Sequence, residues 1–213
     1  MTWTATTDAR RKMPAERHSE LLARAVAISR DEGLFMVTLR KVASDLGVTP
    51  GLVSHYFSSA EQLVAAAFRA TAVADLDEAR LRVAAASGAA DKIDVLIDYV
   101  LDDCSMGANA LWLEAWSLGR RNPALAAEAD ALTVEWLELI AEIVRAGRGT
   151  GEFRVARPKM AAWRLLTMID GLAAQKVTRA VSSDEIKQIG RTYCASELGL
   201  GSATYMKPPY SRC

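Results

Sequence analysis

The sequence has few of the residues that build metal centres, disulfide frameworks and most catalytic sites: 213 residues hold three cysteines and two histidines. Cys104, Cys194 and Cys213 are odd in number and widely spaced, with no CxxC pair. That argues against a disulfide scaffold and against a structural zinc site. His18 and His55 alone are too few for most histidine-based metal sites, so neither a metal nor a cofactor is expected. Uninterrupted apolar runs are also missing. The longest, such as Leu63 to Phe68, is far short of the roughly 18–20 residues a membrane-spanning helix needs. Asp8, Arg10, Arg11, Lys12, Glu16 and Arg17 break up any apolar stretch that a secretory signal would require. The expectation is a cytoplasmic protein that keeps clear of membranes.

An excess of one charge is absent too. Lysine and arginine total 26, as do aspartate and glutamate. A neutral chain is a poor non-specific coat for nucleic acid, although a dimer can still present one basic face. No catalytic constellation is visible. Cys104 and His55 fall in different predicted domains, and nothing basic clusters around Cys104 or Cys194 to activate a thiolate. The glycines of 147–153 follow a predicted helix rather than a strand, which is the wrong context for a phosphate-binding loop. An enzyme is not expected.

Strand signals are missing as well, since no segment sustains the period-two alternation of a half-buried strand. What remains is helix. Residues 1–15 read as a flexible arm, 16–60 as a small helical domain, 61–200 as a larger helical bundle and 201–213 as a frayed tail. Leu21, Leu22, Ala25, Ile28 and Ser29 recur at helical spacing up to Gly33, a plausible stop. A long helix is expected from about Ser59 to Ala86, and others at about 91–104, 107–121, 123–147, 158–180 and 184–198. Asn122-Pro123 separates two of them. Gly147, Gly149 and Gly151 are expected to open a loop that closes near Pro158, and the chain is expected to fray from Gly199.

The informative segment is 38–57, TLRKVASDLGVTPGLVSHYF. Leu39, Val42, Ala43 and Leu46 make one apolar stripe, and Ala43 is small enough for a second helix to cross closely. Gly47 falls where a short helix must stop and reverse, and Val48 offers a plug for the turn. Thr49 is a good N-cap and Pro50 suits the first helical position. Leu52, Val53 and Tyr56 can face inward. Thr49, Gly51, Ser54 and His55 leave a small polar surface fit for a major groove. Thr38 can cap the first short helix, yet Arg40 and Lys41 in its first turn oppose the helix dipole. An anion bound there, such as a DNA phosphate, would make sense of both cations.

An N-terminal helix, this segment, SSAEQL and then a long helix resemble the DNA-binding domain of the TetR family of transcriptional regulators. GLVSHYF is especially similar to its choline-responsive branch. The resemblance covers about residues 16–66. It implies that Thr38 and Tyr56 contact phosphate, while Thr49, Pro50, Gly51, Ser54 and His55 lie at or near the bases of double-stranded operator DNA. It also implies a C-terminal domain for ligand binding and dimerisation, and a repressor that a small-molecule effector releases from a palindromic operator. One position departs: Ala60 stands where the family commonly carries a phosphate-gripping lysine. Arg10, Arg11 and Lys12 could compensate by reaching the minor groove.

In the larger domain, Tyr99, Trp112, Glu114, Trp116, Trp136, Trp163 and Asp170 are the candidate ligand-binding residues. Aromatic residues at helical spacing are more often ordinary core, although a cavity between bundle helices is lined by the same residue types. Glu114 lies between two tryptophans and Asp170 within LLTMIDGLAAQ, so either could hold a cationic or aromatic effector through charge and cation–π attraction. The plain alternative has Glu114 exposed and Asp170 serving a structural hydrogen bond. Residues 158–180 and 184–198, with small side chains at Gly171, Ala173 and Ala174, are the candidate homodimer helices. The rival reading of the whole chain is a dimeric helical interaction protein without specific DNA binding.

Overall fold

A computed structural model describes residues 13–179 and 181–200. All regular structure among them is helical, with helices α1 (Pro14–Glu32), α2 (Leu39–Asp45), α3 (Pro50–Tyr56), α4 (Ala60–Ala85), α5 (Ala89–Val100), α6 (Met106–Gly119), α7 (Pro123–Thr150), α8 (Pro158–Thr178) and α9 (Ser183–Leu198). This is the expected all-α architecture, a three-helix head followed by a bundle. The basic arm at Arg10, Arg11 and Lys12, and the tail from residue 201, lie outside the described residues.

The helix starts follow local chemistry. Pro14 begins α1 rather than ending an arm, because proline lacks the N–H that a first turn leaves unpaired. Glu16 accepts the Met13 N–H at 3.0 Å. Thr38, Thr49, Ser59, Asn122 and Ser182 each accept a backbone N–H at the start of α2, α3, α4, α7 and α9. The expected helix 91–104 stops early. Leu101 leaves the helix, Ser105 Oγ donates to the Tyr99 carbonyl at 2.6 Å and Asn109 Nδ2 to the Val100 carbonyl at 2.9 Å. These bonds fold the chain into a corner that a helix would not allow.

Two glycine expectations are corrected. Gly147 and Gly149 do not open a loop; α7 runs through both to Thr150, and Gly151 ends it at φ +83°. Gly147 serves packing, since a Cβ there would stand 2.3 Å from the Phe153 ring and 2.8 Å from Ala89 Cβ. Gly199 does not begin a frayed tail. It takes φ +66° as the cap of α9, and Arg154 N–H donates to the Leu198 carbonyl at 2.8 Å.

A single apolar core threads the molecule. Leu21, Ile28, Val42, Val53 and Phe57 of the head join Leu63 and Phe68 of α4, then Leu96, Ile97, Leu132, Ile140, Leu165 and Ile169 of the bundle. The boundary expected between residues 60 and 61 therefore falls on the first residues of α4, a helix that both parts share. The Lys176 amine, 3 % exposed, closes the far corner. It donates to the Leu101 carbonyl and to Ser183 Oγ, both at 2.6 Å, and pairs with Asp103. This fastens the end of α8 to the α5–α6 corner and to α9.

Candidate functional site

The first element of the site is a polar face on the head. Val42 and Ala43 of α2 and Val53 of α3 are buried against one another. Between them Gly47 turns at φ +63°, and the Val48 N–H donates to the Ala43 carbonyl at 2.9 Å. Thr49, Pro50, Gly51, Ser54 and His55 are exposed along one side of α3, with Tyr56 half-buried behind them. Ser54 Oγ donates to the Gly51 carbonyl at 3.1 Å, and the side chain stays exposed. His55 meets the Tyr56 ring edge-on at 5.3 Å, and His18 of α1 stacks on Phe57 at 4.9 Å. The Arg24–Asp45 ion pair braces α2 against α1 at 2.5 Å.

The cations of α2 differ from expectation in one respect. Thr38 and Arg40 are exposed, and Arg40 has no ion pair among the described residues. Lys41 Nζ, however, lies 2.9 Å from Glu32 at the end of α1. Part of the charge that seemed to call for an anion is already balanced within the chain.

The second element is a cavity between the bundle helices. Its walls include Asp75 of α4, Tyr99 of α5, Asn109, Trp112 and Trp116 of α6, Thr133 and Trp136 of α7, and Leu166, Asp170 and Ala173 of α8. The centre of a water molecule can reach only about 50 Å³ of it, so the space suits a compact ligand. Trp112 sits edge-on to Phe68 at 5.1 Å and 5.8 Å from Trp116, which is 40 % exposed and stands at the rim. Trp136 Nε1 is buried with no hydrogen-bond partner among the described residues.

Two carboxylates face this aromatic space. Asp170 has no hydrogen bond or ion pair among the described residues, and burial pushes its pKa up to about 6. Asp75 is raised by burial too, but Tyr99 donates to its Oδ1 at 2.6 Å and works the other way. A low-dielectric pocket holding such acids attracts a cation that has itself little to gain from hydrogen bonding.

Family models match both halves of the chain. Residues 21–67 match the tetR family of bacterial regulatory proteins, and residues 89–199 the C-terminal domain of BetI-type transcriptional repressors. The chain belongs to the TetR family of transcriptional regulators. The HTH-type transcriptional regulator BetI of Rhizobium meliloti is 30 % identical over 52 % of this chain and 55 % of its own length, so the chain spans about half of that relative. The regulator of the same name from Serratia proteamaculans is 26 % identical over 83 % of this chain and 88 % of its own. Among solved structures, a transcriptional regulator of Saccharomonospora viridis in complex with choline superposes with a TM-score of 0.73. It is 23 % identical and covers 84 % of this chain and 95 % of its own. One from Pseudomonas aeruginosa PAO1 gives 0.76 at 20 % identity, over 91 % and 97 %.

In this TetR-family chain, five of the seven candidate ligand residues share the cavity: Tyr99, Trp112, Trp116, Trp136 and Asp170. Two do not. Trp163 is 51 % exposed on the outer face of α8, because it follows the stripe of Met160 and Thr167 rather than that of Leu166 and Asp170. Glu114 points away from the cavity toward the head, where its Oε2 accepts the Leu34 N–H at 2.6 Å. Neither expectation for Glu114, ligand contact or free exposure, matches that placement. Asp75, Asn109 and Thr133 line the cavity and escaped the sequence reading. Asp75 had a usable signal, an acid on the long helix one turn beyond the apolar Ala72.

Proposed function

We propose that this TetR-family regulator is a cytoplasmic homodimeric repressor, released from a palindromic operator when a compact organic cation of the choline type enters the bundle cavity. The observation that carries the effector class is Asp170, a carboxylate without a partner among the described residues, facing a cavity walled by Tyr99, Trp112, Trp116 and Trp136. A quaternary ammonium group donates no hydrogen bond, so aromatic faces and one fixed charge are what it can use. The choline held by the structural neighbour from Saccharomonospora viridis supports the same class.

DNA recognition falls to Thr49, Pro50, Gly51, Ser54 and His55 at the bases, with Thr38, Arg40, Lys41 and Tyr56 on phosphate. Lys41 must give up Glu32 to take that role. Dimerisation falls to the outer faces of α8 and α9, where Met160, Trp163, Ile189 and Tyr193 are exposed, as is the small Gly171. Exposed aromatics of this size call for a partner surface.

Tryptophan fluorescence titration with choline and with its uncharged isostere 3,3-dimethylbutanol tests the reading. Choline should quench or shift the emission saturably and weaken operator binding, while the neutral analogue does neither at the same concentration. Equal affinity for both would remove the cation from the proposal.

A further inference from the structure

We infer that Glu114 is the positioning residue through which the cavity acts on the DNA-reading head. The inference rests on the reading of the cavity as an effector site. Glu114 and its neighbours on α6 look in opposite directions: Trp112, Leu113 and Trp116 line the cavity, and the Glu114 carboxylate meets the Gly33–Leu34 peptide of the head.

The contact is built from both sides. Gly33 holds φ +92°, which side-chain-bearing residues rarely adopt, and a Cβ there would stand 2.8 Å from Glu114 Oε1. A glycine is thus needed for the backbone turn and for the approach of the carboxylate. Leu34 opens the 3-10 turn Leu34–Met36, so its N–H has no partner within the turn. The bond to Glu114 supplies one across 80 residues. The Leu34 side chain is 1 % exposed and locked in the head core, and three residues on Val37 hands the chain to Thr38, the cap of α2. A shift of α6 therefore reaches the exposed surface of α2 through rigid parts.

A second tie makes the lever specific. At the α6–α7 corner Asn122 Nδ2 donates to the Glu61 carbonyl at 3.2 Å, in the first turn of α4. The middle of α6 is tied to the head at Leu34, and the corner that follows α6 is tied to the first turn of α4. An occupant that displaces Trp112 or Trp116 turns α6 between these two points, which tilts the head rather than translating it.

The test uses the full-length protein and the duplex it selects from genomic fragments, with choline as probe. Coupling factors between two such sites run about 5- to 150-fold. Glu114→Ala should cut the factor by which choline weakens DNA binding to about two or less, with choline affinity itself within about twofold of the parent. Glu114→Gln, whose amide oxygen still accepts the Leu34 N–H, should keep most of the coupling; a merely structural role would lower stability in Glu114→Ala and leave the coupling factor unchanged. An unchanged factor in Glu114→Ala overturns the inference.

If the parent chain ignores choline, the effector reading fails, but the lever is still decided without a ligand. Ala173→Met fills the cavity from α8, and a double-mutant cycle with Glu114→Ala on operator affinity should be non-additive. Additive effects, including no effect of Ala173→Met at all, overturn the lever. Thr133→Met repeats the cycle from α7 if Ala173→Met does not fold.

Discussion

The Tyr99 hydroxyl lies 2.6 Å from Asp75 Oδ1, a bond between α5 and α4 in the cavity wall. Arg82 rests 4.9 Å above the same tyrosine ring, so one ring face is already taken by a cation of the chain itself. Burial raises the pKa of both partners, and at Asp75 the bond works against that rise. Tyr99→Phe removes the donor and leaves a buried acid without it. We expect a loss of about 1–2 kcal/mol at neutral pH, read by chemical denaturation, and a further rise of the Asp75 pKa. A variant as stable as the parent would mean that water replaces the hydroxyl.

Asp170 gives a pH signature of definite sign. Its folded pKa of about 6 stands above the ordinary 3.8, so the folded chain binds that proton more tightly than the unfolded chain does. Its contribution to stability therefore falls as pH rises from about 4 to about 6, and the cost is complete above that window. Asp170→Asn should stabilise the free protein by about 1–2 kcal/mol near pH 8, the gain shrinking toward pH 4. The same change should weaken choline binding by about tenfold or more. Melting curves at several pH values that show a constant gain would contradict the assignment.

The glycines of α7 should respond oppositely to alanine. At Gly149 nothing lies within 4 Å of a built Cβ, so Gly149→Ala should stabilise by about 0.5–1 kcal/mol through helix propensity. At Gly147 the Phe153 ring and Ala89 block the methyl, and Gly147→Ala should cost about 1–3 kcal/mol. Thermal unfolding of the pair checks both signs at once.

Gly171 on the outer face of α8 also has nothing within 4 Å of a built Cβ. Gly171→Glu should leave the protomer fold intact and yet dissociate the proposed dimer, as measured by sedimentation. A Gly171→Glu protein that stays dimeric would move the seam away from α8.

On the DNA side, Arg40→Ala should weaken binding evenly across operator variants and reduce the slope of log affinity against log salt by about one per subunit. Ser54→Ala or His55→Ala should instead relax the preference at single base positions, by about 1–3 kcal/mol each. A selection experiment repeated with each variant separates the two patterns. If all three variants changed only the salt slope, α3 would not be reading bases.

The helical order and the exposed polar side of α3 were legible in the sequence because local signals decide them. Gly47, Thr49 and Pro50 leave a short turn little choice, and capping residues mark most helix starts within a residue or two. Long-range geometry was less accessible. Glu114 was read with Trp112 and Trp116, yet a helix presents residues two positions apart to different sides, and Trp163 was grouped with the other tryptophans although it stands on the exposed side of α8. Gly147 looked like a breaker because its reason for being glycine, the Phe153 ring folding back over it, is a contact that follows only after the helix ends. Lys41 read as a free cation since Glu32 belongs to the preceding helix.

Because the apolar packing passes without interruption from the head through α4 into the bundle, there is no soft seam at which the reading end could melt on its own. Heat or denaturant should take the whole protomer apart in one event. Loosening any buried contact near Leu63 or Phe68 would then be felt at both extremes of the molecule.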